Sequence, residues 1–319
     1  MKELKIFGIV AIFTLVLYWG VEPFAHSQMH KHVEGNEFVY NGTADVEEAE
    51  QTGKKEVAET KKAFWADVEK ISKLKGDAAA GEATFAMCAG CHMEGAPNMG
   101  GVIPPNLEHA GALYDKNYLI ALIKDPAMAS NVDHKYKDTM THPMGSIKTM
   151  VTEPQDIANV VAYLKEKKAG EVTTKEAFSE ACGRCHAMRY AKTTQLGDTP
   201  KFKYKKDGLA YEVKVINEQD LVKAYMGKLP PDLSIIIRAR SPHFLETFVE
   251  NPQSQLPGTS MPRVGLTHEG YEKVKTYLEE VGDPSKPKRE ALGPKVILFF
   301  IVFTFLAFLW KKSKWKGHH

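Results

Sequence analysis

Two five-residue boxes, Cys88-Ala-Gly-Cys91-His92 and Cys182-Gly-Arg-Cys185-His186, use all four cysteines of the chain and place a histidine directly after each pair. Two thiols at this spacing sit on one short turn and reach the same edge of a flat macrocycle, with the next residue beneath its centre. The chemistry this suits is thioether attachment of a c-type haem, with His92 and His186 as iron ligands. A redox dithiol would not need a histidine after both pairs, and a zinc site would need further ligands gathered around the four thiols. The expected cofactors are therefore two covalently bound haem c, held through Cys88, Cys91, Cys182 and Cys185. Covalent haem is attached after export, so the boxes are expected on the outer face of a bacterial cytoplasmic membrane.

The elements that position the boxes must fit within 319 residues, 43% hydrophobic and 26% charged, with a net charge of +2. That length allows two or three compact domains, and the charge balance does not suggest nucleic acid. Residues 1–25 carry Lys2 and Lys5 ahead of a charge-free run from Ile6 to Val21 that ends in Tyr18-Trp19. This reads as an uncleaved signal anchor, with removal as a signal peptide the alternative. His26, His30 and His32 read as polar residues beside the membrane. Residues 26–75 are expected to be an acidic linker followed by a helix standing between membrane and first domain, with Val57, Phe64, Val68 and Ile71 as its apolar stripe. At the other end, 283–291 reads as a linker, and 292–319 as a transmembrane anchor with a basic tail.

Residues 76–168 form the first expected domain. Asp77 can cap a helix carrying Gly81 and Phe85 ahead of the box, and Glu153 to Lys167 has helical spacing of Ile157, Val160, Val161 and Leu164. Gly81, Phe85, Cys88, Cys91 and His92 together resemble the start of a class I cytochrome c. The resemblance implies that the first and last helices cross at a small residue and an aromatic. It also implies that a proline carbonyl in Ile103-Pro104-Pro105-Asn106-Leu107 receives the second ring hydrogen of the histidine. For the sixth iron ligand a methionine thioether suits electron transfer. Met140, Met144 and Met150 are all near the right place, and His142-Pro143-Met144-Gly145 looks most like the family's ligand loop. Met144 is preferred and Met140 is the runner-up.

Residues 169–282 repeat these signals in order: a helix from Thr174 through Phe178, the second box, Leu229-Pro230-Pro231-Asp232-Leu233, then Met261-Pro262 ahead of Gly270 to Leu278. Met261 is the expected ligand here. Between box and proline pair lies an insertion, where Phe202 and Tyr204 alternate with lysines before Asp207-Gly208, and Tyr211, Val213 and Val215 alternate after it. That pattern predicts a β-hairpin, whose lysines could steer an acidic redox partner or simply be solvated. The fold class expected is mainly α: two tandem cytochrome c domains, the second with a β-hairpin insertion, tethered by N- and C-terminal transmembrane helices.

The second half, from Glu176 to the end, resembles cytochrome c1 of the quinol:cytochrome c oxidoreductase. The resemblance rests on Cys182-Gly-Arg-Cys-His-Ala-Met188, on Leu229-Pro-Pro-Asp-Leu-Ser234-Ile-Ile-Ile-Arg238-Ala-Arg240, on a ligand methionine and on a basic-ended anchor. The extra haem domain and apolar amino terminus resemble the diheme form of that subunit. It implies that Arg238 or Arg240 pairs with a haem propionate. It also implies cytochrome b and a Rieske iron–sulfur protein as partners, and a downstream cytochrome c or oxidase as acceptor. Both termini would be cytoplasmic and the haem domains periplasmic. Such a subunit transfers electrons without a general acid, base or nucleophile of its own. The alternatives are the diheme subunit of a cbb3-type oxidase and, from another class, a diheme peroxidase.

Overall fold

A computed structural model describes residues 2–29, 34–93, 95–98, 100–167 and 171–317. Among them the protein is mainly α-helical, with one small antiparallel hairpin, Thr193–Thr194 against Gly197–Asp198. A long apolar helix stands at each end, over Lys2–Ala25 and Lys286–Lys314, and none of either apolar window is buried inside the protein. Each is long enough to cross a bilayer. Lys311 Nζ lies 3.0 Å from Glu3 Oε2, so the outer ends of the two helices are side by side. The linker expected at 283–291 is mostly helix, because the terminal helix begins at Lys286. Pro287 sits in its first turn, where a missing N–H breaks no helical bond, and helix-forming Lys, Arg, Glu and Ala follow.

The first half is built around Ala78–Ala89 crossing Pro154–Glu166, with Lys116–Lys124 and Lys55–Ser72 packed alongside. Lys55–Ser72 was expected to stand between membrane and domain, but it forms a wall of the core. It buries Ala58, Lys61, Phe64, Trp65, Val68 and Ile71. Val57 falls off this stripe and is exposed, because the inward positions recur from Ala58 rather than from its neighbour.

The second half repeats the pattern with Thr174–Phe178 against His268–Gly282, and Pro242–Glu250 nearby. One hydrophobic cluster runs through both halves, joining Phe85, Ile120 and Val160 to Phe178, Leu266 and Val274. The chain after Met261 threads into the first half: Asp115 N donates to the Gly265 carbonyl at 2.9 Å, and Thr267 N to that of Leu113 at 2.8 Å. The boundary expected near 168–169 therefore does not divide two separate cores, and residues 168–170 themselves lie outside the described set.

Two further expectations are overturned. The acidic linker expected from Glu34 to Lys54 contains the helix Thr43–Gln51 and buries Phe38, Tyr40, Asp45 and Ala49. Its polar composition is deceptive because its acidic residue Asp45 finds a partner 218 positions away, in Arg263. Of the three nearby histidines, His26 falls on the helix Glu22–Met29, while His30 and His32 lie outside the described residues. The hairpin expected at 201–215 is instead the start of a 22-residue helix, Lys205–Met226, with Asp207-Gly208 in its first turn. The alternation of Tyr211, Val213 and Val215 is a fragment of a longer helical period. The inward face runs Tyr211, Val215, Glu218, Val222 and Tyr225, and Val213 points outward, 56% exposed. The hairpin that does form lies just before this helix.

Candidate haem sites

The first box is placed by the helix Ala78–Ala89. The Asp77 side chain accepts from the backbone N–H of Ala79 and Ala80, capping the helix, while its own N–H donates to Asn159 Oδ1 at 2.9 Å. Gly81 lets this helix touch Pro154–Glu166, since a Cβ there would stand 2.0 Å from the Asn159 carbonyl oxygen. One turn on, Phe85 packs against Tyr163 with ring centroids 5.1 Å apart. This is the crossing at a small residue and an aromatic that the sequence led us to expect. The helix then tightens into a turn in which Cys91 N and His92 N both donate to the Cys88 carbonyl, at 3.1 and 3.0 Å.

His92 Nδ1 lies 2.9 Å from the carbonyl oxygen of Pro105. A carbonyl only accepts, so Nδ1 carries the hydrogen and Nε2 keeps its lone pair for a metal. Burial lowers the pKa of His92, which keeps the ring neutral and able to ligate. Of the three candidate methionines, Met144 is half-buried and packs against the same core as Cys88, whereas Met140 and Met150 are 39% and 47% exposed. The Met144 loop is tightly held. Gly145 N donates to the His142 carbonyl at 2.7 Å, Met144 N donates to His142 Nδ1 at 3.0 Å, and the Pro143 ring would lie 2.5 Å from a Cβ on Gly100.

The second box shows the same construction. Thr173 and Glu176 form a capping box at the start of Thr174–Phe178. Phe178 meets Tyr277 at 5.0 Å, as Phe85 meets Tyr163. Phe178 is one residue further from its box than Phe85 is, and a π-helical turn at Ser179–Gly183 absorbs the difference. Cys185 N and His186 N donate to the Cys182 carbonyl at 3.1 and 3.0 Å, and His186 Nδ1 lies 2.8 Å from the Pro231 carbonyl oxygen. Leu233 N donates to the Ala187 carbonyl and Arg189 N to Asp232, each at 3.0 Å, clamping the proline loop against the box. Burial lowers the pKa of His186 and pushes the Cys182 thiol up to about 12. Met261 is half-buried, its N–H on Thr259 Oγ1 at 3.2 Å.

Neither arginine expected at a propionate is buried. Arg238 lines a cavity of about 310 Å³ with Asp283, Lys286 and Arg289, and the Arg240 guanidinium lies over the Phe244 ring at 5.0 Å. Among the described residues no group of three or more His, Cys, Asp or Glu is gathered to hold a metal ion. Sequence reasoning missed a further repeat, Asp125-Pro126 after the helix Lys116–Lys124 and Asn251-Pro252 after Pro242–Glu250. The Asp/Asn-Pro pairs closing two apolar helices were the available signal.

The cytochrome c family model matches residues 78–168. Cytochrome c1 of Allochromatium vinosum is 22% identical, the match covering 44% of this chain and 82% of that protein. The ammonia monooxygenase gamma subunit of Nitrosomonas europaea is 27% identical over 30% of this chain, which spans only 58% of that protein. No solved structure matches the chain. Family match and geometry agree on the first box: residues 78–168 are a cytochrome c-type domain, equipped for covalent haem c and for electron transfer.

Proposed function

We propose that the chain is a membrane-anchored diheme cytochrome c with haem c at both boxes. It passes single electrons from the Rieske protein of a quinol:cytochrome c oxidoreductase to a downstream cytochrome c or oxidase. The observation that carries the diheme part of this reading is the doubled geometry at the boxes: His92 Nδ1 on Pro105 at 2.9 Å and His186 Nδ1 on Pro231 at 2.8 Å, each behind the same Cys-to-His turn. Bound haem supplies a one-electron Fe(III)/Fe(II) couple. The chain does the rest: His92 and His186 offer Nε2 from a fixed orientation, and Met144 and Met261 offer thioethers from held loops that favour the reduced state and leave no open position. Of the two arginines, Arg240 is the propionate partner in this reading, because Arg238 borders Asp283.

The second, cytochrome c1-like box is the entry for the electron and the first box the exit. Cytochrome b and the Rieske protein are the partners in the membrane. The helices Lys2–Ala25 and Lys286–Lys314 are the anchors, with both termini on the cytoplasmic side and the boxes in the periplasm. The pairing of Glu3 with Lys311 supports termini on one side.

Purification from membranes tests the reading. The expected result is a mass increased by two haems, two six-coordinate His/Met spectra, and co-purification with cytochrome b and a Rieske protein. A single haem would refute the diheme reading. A site that takes up CO or peroxide in place of methionine would favour the peroxidase, and oxidase subunits in the purified complex would favour the cbb3-type assembly.

A further inference from the structure

Arg184 belongs to the second box by sequence, between Cys182 and Cys185, but its side chain reaches into the first half. Its Nε donates to the Glu180 carbonyl at 3.2 Å, and Nη1 donates to the carbonyl of Ile103 at 3.3 Å. Ile103 opens the Ile-Pro-Pro loop whose Pro105 carbonyl orients His92. The guanidinium is half-buried, so its charge is incompletely screened. Beside it Glu180, from the second half, and His109, from the first, form a close pair at 2.5 Å that adds a second tie across the seam.

We propose that Arg184 is a positioning and potential-setting residue for the haem site at His92, although it belongs to the other box. It braces the loop that orients His92 and holds a permanent positive charge at the seam between the two sites. Reduction of an iron adds one electron and removes one unit of positive charge, so a nearby fixed cation favours the reduced state. The charge acts on the first site as well as on its own. This inference rests on the two-site reading above. A unit charge acting over about 10 Å at an effective dielectric near 20 changes a one-electron equilibrium by about tenfold.

The test is a redox titration of the full haem-loaded chain, followed by visible and EPR spectroscopy, in the wild type and in Arg184→Gln and Arg184→Lys. Met144→His and Met261→His, each moving the potential of its own site, assign the two waves. Arg184→Gln is expected to lower the first-site equilibrium constant for reduction by about tenfold, and Arg184→Lys to retain most of it. A shift confined to the second site overturns the proposal, and so does an Arg184→Lys value as low as that of Arg184→Gln. If Arg184→Gln does not load haem, Arg184→Lys still decides, because a first-site equilibrium constant about tenfold below the wild type's would refute a charge effect. A chain that carries one haem, on Cys88 and Cys91, would sink the diheme reading. Its remaining site would still show whether Arg184 sets the potential.

Discussion

The turns that hold the two Cys-Cys-His boxes are the most local feature of this protein and were the most legible. A C-x-x-C-H turn is set by five consecutive residues, and the proline carbonyl behind His92 lies only 13 positions on. What could not be read was the pairing of charged groups across a long separation. Arg263 is fully buried and gives Asp45 a forked ion pair, with Nη1 on Oδ2 at 3.0 Å, while Trp65 Nε1 donates to the same carboxylate at 2.9 Å. Nothing in an acidic, apolar-poor stretch announces such a partner. Asp45→Ala should cost about 3–5 kcal/mol, because it strands a buried cation. Chemical denaturation would measure the loss, and Asp45→Ala combined with Arg263→Met should recover much of it. A double variant as unstable as the single one would show that the ion pair is not what matters. At the iron, Met144→Ala should abolish the methionine-to-iron charge-transfer band of the first site, and Met140→Ala should leave it unchanged. The reverse outcome would make the more exposed Met140 the ligand.

At the scale of elements, helices with a full apolar period were legible and short patterns were not. Pro154–Glu166 was expected within a residue, because it shows more than three turns of one stripe, while Gly270 to Leu278 marked the middle of His268–Gly282, which begins two residues earlier and ends four later. The insertion misled because three alternating residues, Tyr211, Val213 and Val215, fit a strand as well as they fit a helix. Only the continuation through Glu218, Val222 and Tyr225 separates them. That continuation has a purpose visible in three dimensions. Glu218 accepts from Asn98 at 2.5 Å, the Tyr225 hydroxyl meets that of Tyr136 at 2.5 Å, and Lys135 lies over the Tyr225 ring at 3.6 Å. The insertion is thus a clasp onto the first half rather than a free surface loop. The helix crossing at Gly81 is the element most sensitive to side-chain volume. Gly81→Ala would drive a methyl into the Asn159 carbonyl, forcing the helices apart at a cost of about 1–3 kcal/mol. Gly90→Ala, whose nearest neighbour would be 3.9 Å away, is the matched control and should be near neutral. Equal stability in the two variants, both at or above the wild type, would mean that helix propensity, and not the crossing, dominates.

On the scale of the whole molecule, the repeat legible in the sequence suggested two separate units, but the part between the two long apolar helices is one body. Its core is continuous, the segment after Met261 pairs with Leu113 to Asp115, and residues 34–52 strap both halves together. Repeats reveal shared construction but say nothing of how much surface the copies bury against each other. With a common core the two halves should unfold together, so haem absorbance and helical circular dichroism should share one denaturant midpoint. The strap supplies the sharper test. Glu250, from the second half, accepts from Asn36 N and Phe38 N, both at 2.8 Å, and Phe38 then stacks on Tyr271 at 5.0 Å. Burial raises the Glu250 pKa above its ordinary value of 4.5, although the two N–H donors oppose the shift. The folded state then holds its proton more tightly than the unfolded chain does, so the contribution of Glu250 to stability falls as pH rises through the window just above 4.5. Glu250→Gln cannot titrate, and it can satisfy only one of the two N–H groups through its single oxygen. Its stability should therefore lack that decline and be lower at acidic pH, where the wild type is best protected. Denaturation midpoints followed from pH 4 to 7, roughly the range over which a raised carboxyl titrates, would decide it. If the wild type gained stability with rising pH across that range and Glu250→Gln did not, the strap carboxylate would be held in its charged form and burial would not be the dominant influence on it.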